Sequence, residues 1–260
     1  MKTPKKARSG KSRSHDEWIY GLNPVLEALQ ARRQVKSVFI ASTRRDKTRA
    51  IEQASSLSGV TVKRANPAFF DQQFPKGHQG VAALVVPRRF LTTEDIVRIP
   101  SRRAEMPLFL ILDCPKDPRN FGAILRSAEA GGVHGVVIQS HRSVTLSPEA
   151  SKTSAGAAEH IAIARVSNIK HAMRDMKSDG LTIIGAEAGA RKRIWNLDLR
   201  EPLALVVGSE GRGLRRTVKE QCDVIASLPV KGRVNSLNIS VAVGILIFEA
   251  VRQREHTRSL

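Results

Sequence analysis

Leu203-Ala-Leu-Val-Val-Gly-Ser-Glu-Gly-Arg-Gly-Leu214 runs through five apolar residues and then meets three glycines within six positions. A short apolar run ended by glycine reads as a strand buried on both faces, the kind found inside a parallel sheet. Gly208, Gly211 and Gly213 follow it as a loop in which a ligand can approach the backbone at the carboxyl edge of the sheet. The spacing is neither GxGxxG nor a P-loop. A plain tight turn reads the same residues equally well.

Outward from this stretch the pattern repeats. Apolar runs lie at 108–112, 135–138, 161–165, 181–185 and 224–228, with helical segments at 120–130, 168–178 and 213–221. Alternation of this kind predicts an α/β domain with a mostly parallel sheet and helices on both faces. A long apolar-rich helix is expected over 237–253, with arginines at its end where the helix dipole favours cations. Upstream, Asn23-Pro24 is expected to cap and open a helix bearing Leu22, Val25, Leu26 and Leu29. Short apolar runs at 37–41, 60–62 and 81–86 and a helical stretch at 48–57 complete a small α/β domain. The expected division is a disordered basic tail (1–14), an N-terminal domain (15–87), an arginine- and proline-containing linker with one helical turn (88–106) and a C-terminal domain (107–260).

Lys and Arg total 43 against 24 acids, a net charge of +19. Such a surplus calls for a polyanionic partner, and nucleic acid fits better than a membrane because no helix opposes a basic face to a Trp/Phe/Leu face. Aromatic residues are only 4%, so phosphate and shape contacts are expected over many stacking platforms. The tail carries six basic residues that could touch phosphates without ordering. Cys114 and Cys222 match no metal-ligand spacing, and the histidines form no HxH or HxxxH pair, so no metal is expected. With no apolar run of about 20 residues and no signal-peptide pattern, the expected compartment is the cytoplasm.

Two further segments carry candidate chemistry. Asp113-Cys-Pro-Lys-Asp-Pro-Arg-Asn-Phe-Gly-Ala-Ile-Leu-Arg126 follows a strand and opens a helix. Asn120 is placed to cap it, and Arg126, nearly two turns on, projects from a nearby face. Ser227-Leu-Pro-Val-Lys-Gly-Arg-Val-Asn-Ser-Leu-Asn-Ile-Ser240 sets Asn235, Ser236, Asn238 and Ser240 at the start of the last helix, more polar groups than capping uses. Each has a plainer reading: a capped helix with a surface arginine, and an over-polar cap.

In this order and spacing the three segments resemble the motifs of the SpoU branch of the SPOUT RNA methyltransferases. DPRNFGAILRSAEAGGVHGVV resembles the first motif, LALVVGSEGRGL the second, and LPVKGRVNSLNISVAVGILIFEAVRQR the third. Tyr20–Leu29 and His78–Val81 are similar to the N-terminal RNA-binding domain of many such enzymes. Lys152–His160 is similar to the subgroup that methylates a guanosine ribose in bacterial large-subunit rRNA. The match spans about residues 16–254. Phe121 stands where leucine is commoner, and Asn235 occupies a variable position.

The resemblance implies a SPOUT domain with a deep trefoil knot, an exception to the rule against knots. It implies methyl transfer from S-adenosylmethionine (SAM) to a ribose 2′-hydroxyl, with SAM lined by Ala186, Val207, Gly208, Ser209, Leu228, Val230, Ser236 and Leu237. A side chain at Gly208 is expected to fill the cofactor's space. The catalytic set carried over is Asn120, Arg126, Glu210, Ser236 and Asn238, with Arg126 as base. A free guanidinium titrates at about 12.5–13.8, so a charged Arg126 that positions a phosphate and stabilises the alkoxide stands beside that role. The resemblance also implies a homodimer. Ile239, Val243, Ile247 and Val251, four residues apart on the last helix, are the expected interface stripe. Two other functions remain open: the same chemistry on tRNA, and a dimeric RNA-binding factor without catalysis.

Overall fold

The computed structural model describes residues 16–141, 143–234 and 236–258, with side chains given up to Glu255. The expected basic tail and Asn235 lie outside the described residues. In chain order the elements are β1 (Glu17–Tyr20), α1 (Leu22–Gln30), β2 (Val35–Ala41), α2 (Arg49–Leu57), β3 (Thr61–Ala65), α3 (Pro67–Gln73) and β4 (Val81–Val85). Then come α4 (Thr93–Val97), α5 (Ile99–Arg103), β5 (Leu108–Leu112), α6 (Pro118–Ala130), β6 (Gly135–Gln139), α7 (Pro148–Thr153), β7 (Ile163–Val166) and α8 (Ile169–Ser178). The chain closes with β8 (Thr182–Ala186), β9 (Lys192–Arg193), β10 (Leu203–Val207), α9 (Arg216–Lys219), β11 (Val224–Ser227) and α10 (Ile239–Arg258).

The first four strands form one sheet in the order β1-β4-β2-β3. One face of it packs on α1 and α2 through Val25, Leu29, Val38, Ile40 and Ile51. The other carries an aromatic cluster in which Trp18, Phe39, Phe69 and Phe74 meet edge to face or tilted, geometry that aromatic quadrupoles favour. The remaining seven strands form the sheet β7-β6-β5-β10-β8-β11-β9, in which every pairing is parallel. Both faces are covered, as the uninterrupted apolar runs require. Phe121, Ile124 and Leu125 of α6 and Val243, Leu246 and Ile247 of α10 fill one side. Met173 and Met176 of α8 and Val218 of α9 fill the other.

The strand order reverses between β5 and β10. From β5 the chain leaves through α6 to β6, and from β10 through α9 to β11, on opposite sides of the sheet. The loops therefore part at the carboxyl ends of these two strands, where open parallel sheets bind ligands.

Four expectations change. Asp117, not Asn120, caps α6: its side chain accepts from the Arg119 amide and Pro118 takes the first turn. Proline's fixed φ and missing N–H suit the first turn, and this places the cap before the asparagine. Gly21 rather than Asn23 precedes α1, again one turn earlier, with φ of 100° that favours glycine. Residues 93–103 form two short helices, the first closed by a reciprocal cap between Thr92 and Asp95. Finally, Ile239, Val243 and Ile247 are buried in the protomer's own core, with Val251 packed against it, so this stripe is not an interface. The outer face of α10 instead shows Val241 and Phe248, each about half exposed, at 51% and 49%.

The segment Lys152–His160 seats the N-terminal domain. Buried Arg33 bridges Glu159 at 2.7 Å and Glu17 at 3.1 Å. Lys152 donates to the Gln79 side-chain oxygen at 2.9 Å, and the His160 ring meets Glu27 at 2.8 Å.

Helix α6 approaches α7 so closely that a Cβ on Gly122 would collide with the Ala150 carbonyl and stand 2.7 Å from Thr153 Cβ. Gly122→Ala should therefore cost about 1–3 kcal/mol through overpacking, seen as a lower urea midpoint. An unchanged midpoint would show that the two helices separate freely.

Candidate active site and cofactor cradle

Three of the five carried-over catalytic residues meet through side chains. Asn120 sits in the first turn of α6, where its amide nitrogen donates to Asp117 at 3.2 Å and to the Glu210 carboxylate. Its amide oxygen accepts from the Asn238 nitrogen at 3.0 Å. Asn238 in turn accepts from the Ser240 amide at 2.9 Å and the Ser240 hydroxyl at 2.6 Å, closing the start of α10. A chain of polar groups thus links residues that are 118 positions apart in sequence. It orients donors and acceptors at the sheet's carboxyl edge. Among the described residues no cluster of His, Cys, Asp or Glu has the arrangement of a metal site, and no helix is long and apolar enough to cross a membrane.

Ser236 is exposed and makes no side-chain hydrogen bond among the described residues. Arg126 is also outside the cluster. It is exposed, without a hydrogen bond or ion pair among the described residues. Six helical residues carry it about 9 Å along the axis from Asn120 and about 120° around it, so the two occupy different faces. Its guanidinium is free to meet an incoming phosphate.

Five of the eight expected cofactor residues, Ala186, Val207, Gly208, Ser209 and Leu228, fall at three adjacent strand ends. Val207 pairs with Ala186 across β10 and β8, and Ala186 pairs with Ala226 across β8 and β11. Gly208 and Ser209 continue from β10, and Leu228 from β11. Val230 and Leu237 turn apolar side chains to the surface, 39% and 42% exposed. No main-chain group of Leu228–Val234 pairs with another main-chain group among the described residues. Open amides and carbonyls beside exposed aliphatics suit an adenosine, whose edge hydrogen-bonds and whose faces are apolar. The residues fit SAM.

The close approach at Gly208 is to its own loop. A Cβ there would collide with the backbone of Gly213 and Leu214. Gly213 donates to the Ser209 carbonyl at 2.9 Å, so the loop doubles back over Gly208. The glycine serves the loop's shape, a reason for glycine beside the expected one that a side chain fills the cofactor's space.

Two carboxylates that sequence reading passed over hold this loop. Glu187, just past β8, accepts from the Leu214 amide at 3.1 Å and from Lys219 at 2.6 Å. Asp113, buried at the end of β5, accepts from the Arg215 amide at 3.0 Å and from its guanidinium at 2.6–2.7 Å. The Asp113 partnership raises the Arg215 pKa above the ordinary guanidinium value. The available signal was an acid placed directly after an apolar strand, a position that faces the edge where ligands bind.

Gly208→Ala should weaken SAM binding by about ten- to hundredfold, the equivalent of overpacking by about 1–3 kcal/mol. Because the clash is internal, amide exchange across 208–214 should also quicken without SAM. Unchanged exchange with lost binding would return the glycine to the cofactor-space role.

The SpoU rRNA Methylase family profile matches residues 107–248, and the profile for RNA 2′-O ribose methyltransferase substrate binding matches residues 18–91. YacO of Bacillus subtilis, a protein named for the TrmH family of tRNA/rRNA methyltransferases, is 39% identical over 94% of this chain and 98% of its own. The 23S rRNA (guanosine-2′-O-)-methyltransferase RlmB of Escherichia coli K12 is 39% identical over 92% of this chain and 99% of its own. The crystal structure of the SpoU methyltransferase AviRb of Streptomyces viridochromogenes, in complex with AdoMet, superposes with a TM-score of 0.78 at 25% identity, covering 96% of this chain and 94% of that one. The chain belongs to the SpoU rRNA methylase family, a SAM-dependent RNA 2′-O-ribose methyltransferase with a substrate-binding domain ahead of its catalytic sheet.

Proposed function

We propose that this enzyme methylates the 2′-hydroxyl of a guanosine in large-subunit (23S) rRNA, in the cytoplasm and as a homodimer whose C-terminal domain carries the family's trefoil knot. The observation that carries the reading is the Glu210–Asn120–Asn238 chain of hydrogen bonds, set beside the cradle of β8, β10 and β11. Identity of 39% to the E. coli guanosine enzyme over nearly the whole chain supports the substrate.

SAM bound on the 207–209 and 228–237 loops supplies an electrophilic methyl carbon. The protein's task is the nucleophile, because a ribose hydroxyl is a very weak acid. The Asn120–Asn238 pair fixes amide groups that can hold the ribose in line with the methyl group. Glu210, exposed and tied to Asn120, shapes the substrate side. Ser236 is free to hydrogen-bond the nucleotide or the cofactor. Arg126, unpaired on the next face of α6, meets the RNA phosphate. It takes the hydroxyl proton after passing one of its own to the phosphate, or stays charged and stabilises the developing alkoxide as a cation.

The second copy covers the outer face of α10. Val241, Ile245 and Phe248, at i, i+4 and i+7, make an apolar stripe that begins three residues from Asn238. A partner there lies beside the site and desolvates it. Phe248→Asp should give a monomer at micromolar concentration in light scattering, where the parent protein is a dimer. A monomeric parent protein would remove the dimer.

Purified enzyme with labelled SAM should methylate a large-subunit rRNA fragment and leave tRNA unmarked; the reverse result would replace the substrate. On the rRNA fragment, Arg126→Ala should lose at least about a hundredfold in turnover at unchanged SAM affinity. Arg126→Lys separates the roles. Recovery of much of the activity assigns Arg126 to charge. A low rate with a shifted pH profile assigns it to proton transfer, since lysine's reference pKa is about 10.4. Near-normal turnover in both variants would take Arg126 out of the mechanism.

A further inference from the structure

A second concavity opens on the opposite flank of the β10–α9 loop from the cofactor cradle. It has a volume of about 830 Å³ and lies over the point where the strand order reverses. Its walls come from three neighbouring strand ends. Lys116 follows β5, Ser143 follows β6, and Ser209, Arg212, Arg215 and Arg216 follow β10.

The charge is one-sided. Asp113 is the one carboxylate among the described residues bonded to Arg215, and its side chain is fully buried. Arg216 reaches only an exposed ion pair with Glu220 at 3.1 Å, which solvent screens. Lys116 and Arg212 are exposed and have no partner among the described residues. Four cations therefore line one cleft, offset by the buried Asp113 and the exposed Glu220, while Lys116 and Arg212 have no carboxylate partner among the described residues.

A separate observation points to an incoming acceptor. The Ser143 hydroxyl oxygen is closed off from solvent and has no hydrogen-bond partner among the described residues. Buried hydroxyls are almost always satisfied, and one that is not costs free energy until a partner arrives. A rotation about χ1 turns this hydroxyl between staggered positions, and an oxyanion in the cleft supplies the missing partner. Ser209 lies in both the cleft and the cofactor loop, and the next residue, Glu210, touches Asn120.

We infer that this cleft binds a backbone phosphodiester of the substrate RNA, flanking the nucleotide that enters the active site. The inference rests on the RNA-methyltransferase reading and adds a site to it. The phosphodiester seats against Lys116 and Arg212, with Arg215 held rigid behind them by Asp113. Fixing the strand on one side of the target ribose limits its swing relative to the cofactor. The contact is electrostatic and reads no base.

The test uses the double variant Lys116→Ala/Arg212→Ala in the full chain, with the methylated rRNA fragment as probe. Affinity by fluorescence anisotropy should fall by about tenfold or more at 0.1 M salt, and the slope of log affinity against log salt should flatten by about 1.4–1.8, the release expected for two phosphate contacts. SAM affinity by calorimetry and turnover at saturating RNA should stay at parent values, so the loss appears in KM. Ser143→Ala should weaken RNA binding without changing the slope. The control pair Lys170→Ala/Arg174→Ala on α8 removes equal charge at residues that do not line the cleft and should change the slope less. An unchanged slope in the cleft variant, or an equal change in the control, overturns the inference. Loss of SAM binding in the cleft variant also overturns it, because the effect then passes through the cofactor loop. Parent protein that transfers no methyl group to RNA counts against the enzyme reading instead, so the two failures are distinct.

Discussion

Asp113 is a carboxylate with a fully buried side chain at the end of an apolar strand, and the geometry of the whole carboxyl edge is tied to it. A buried charge is tolerated only when its lone pairs are taken up. Here they are taken by the amide and guanidinium of Arg215, on the loop that leaves the neighbouring strand. Asp113 also donates its own amide to the Val207 carbonyl at 2.8 Å, which extends the β5–β10 ladder by one bond. The loop from 208 to 215 is therefore fastened at both ends: at Gly208 by its strand, at Arg215 by a buried acid. Glu187 holds the middle through the Leu214 amide. A loop fixed in this way can present backbone groups to a cofactor on one side and cations to a substrate on the other without rearranging for either.

The catalytic sheet was largely legible, because strands buried on both faces leave uninterrupted apolar runs, and 108–112 and 203–207 were read to the residue. The three polar segments were also visible as anomalies, each carrying more glycine, asparagine or serine than its local structure needs. That Asn120, Glu210 and Asn238 touch was not legible from spacing, since sheet topology alone brings them together; the family resemblance supplied their grouping. Local chemistry misled at two helix starts, where Asp117 and Gly21 act one turn or less before the asparagines that looked like caps. The signal at 92–95, Thr-Thr-Glu-Asp, was present as a capping box in a stretch read as linker. The stripe on the last helix failed for a different reason. Four-residue spacing identifies one face of a helix but does not say whether that face meets its own sheet or another copy.

The cofactor cradle and the basic cleft divide the labour of one loop. Aliphatic and main-chain groups face the cradle, a surface that suits a cofactor with an apolar ring and a modest charge. Guanidinium and ammonium groups face the cleft, where a phosphate chain would outweigh every apolar contact. The parting of α6 and α9 to opposite faces of the sheet keeps these surfaces apart.

The seat made by Arg33 gives the molecule a property of length. Arg33 joins a strand of the first domain to the 157–159 turn of the second, and both Arg33 and Glu159 are almost fully buried there. Domains joined by a slack tether sample many separations; domains keyed together by a buried ion pair and by Lys152, His160 and Arg88 hold one. An RNA that spans both must carry its two recognised features at a fixed distance and angle. For such an RNA the protein would be a caliper set by its own interior, gauging contour without reading a base.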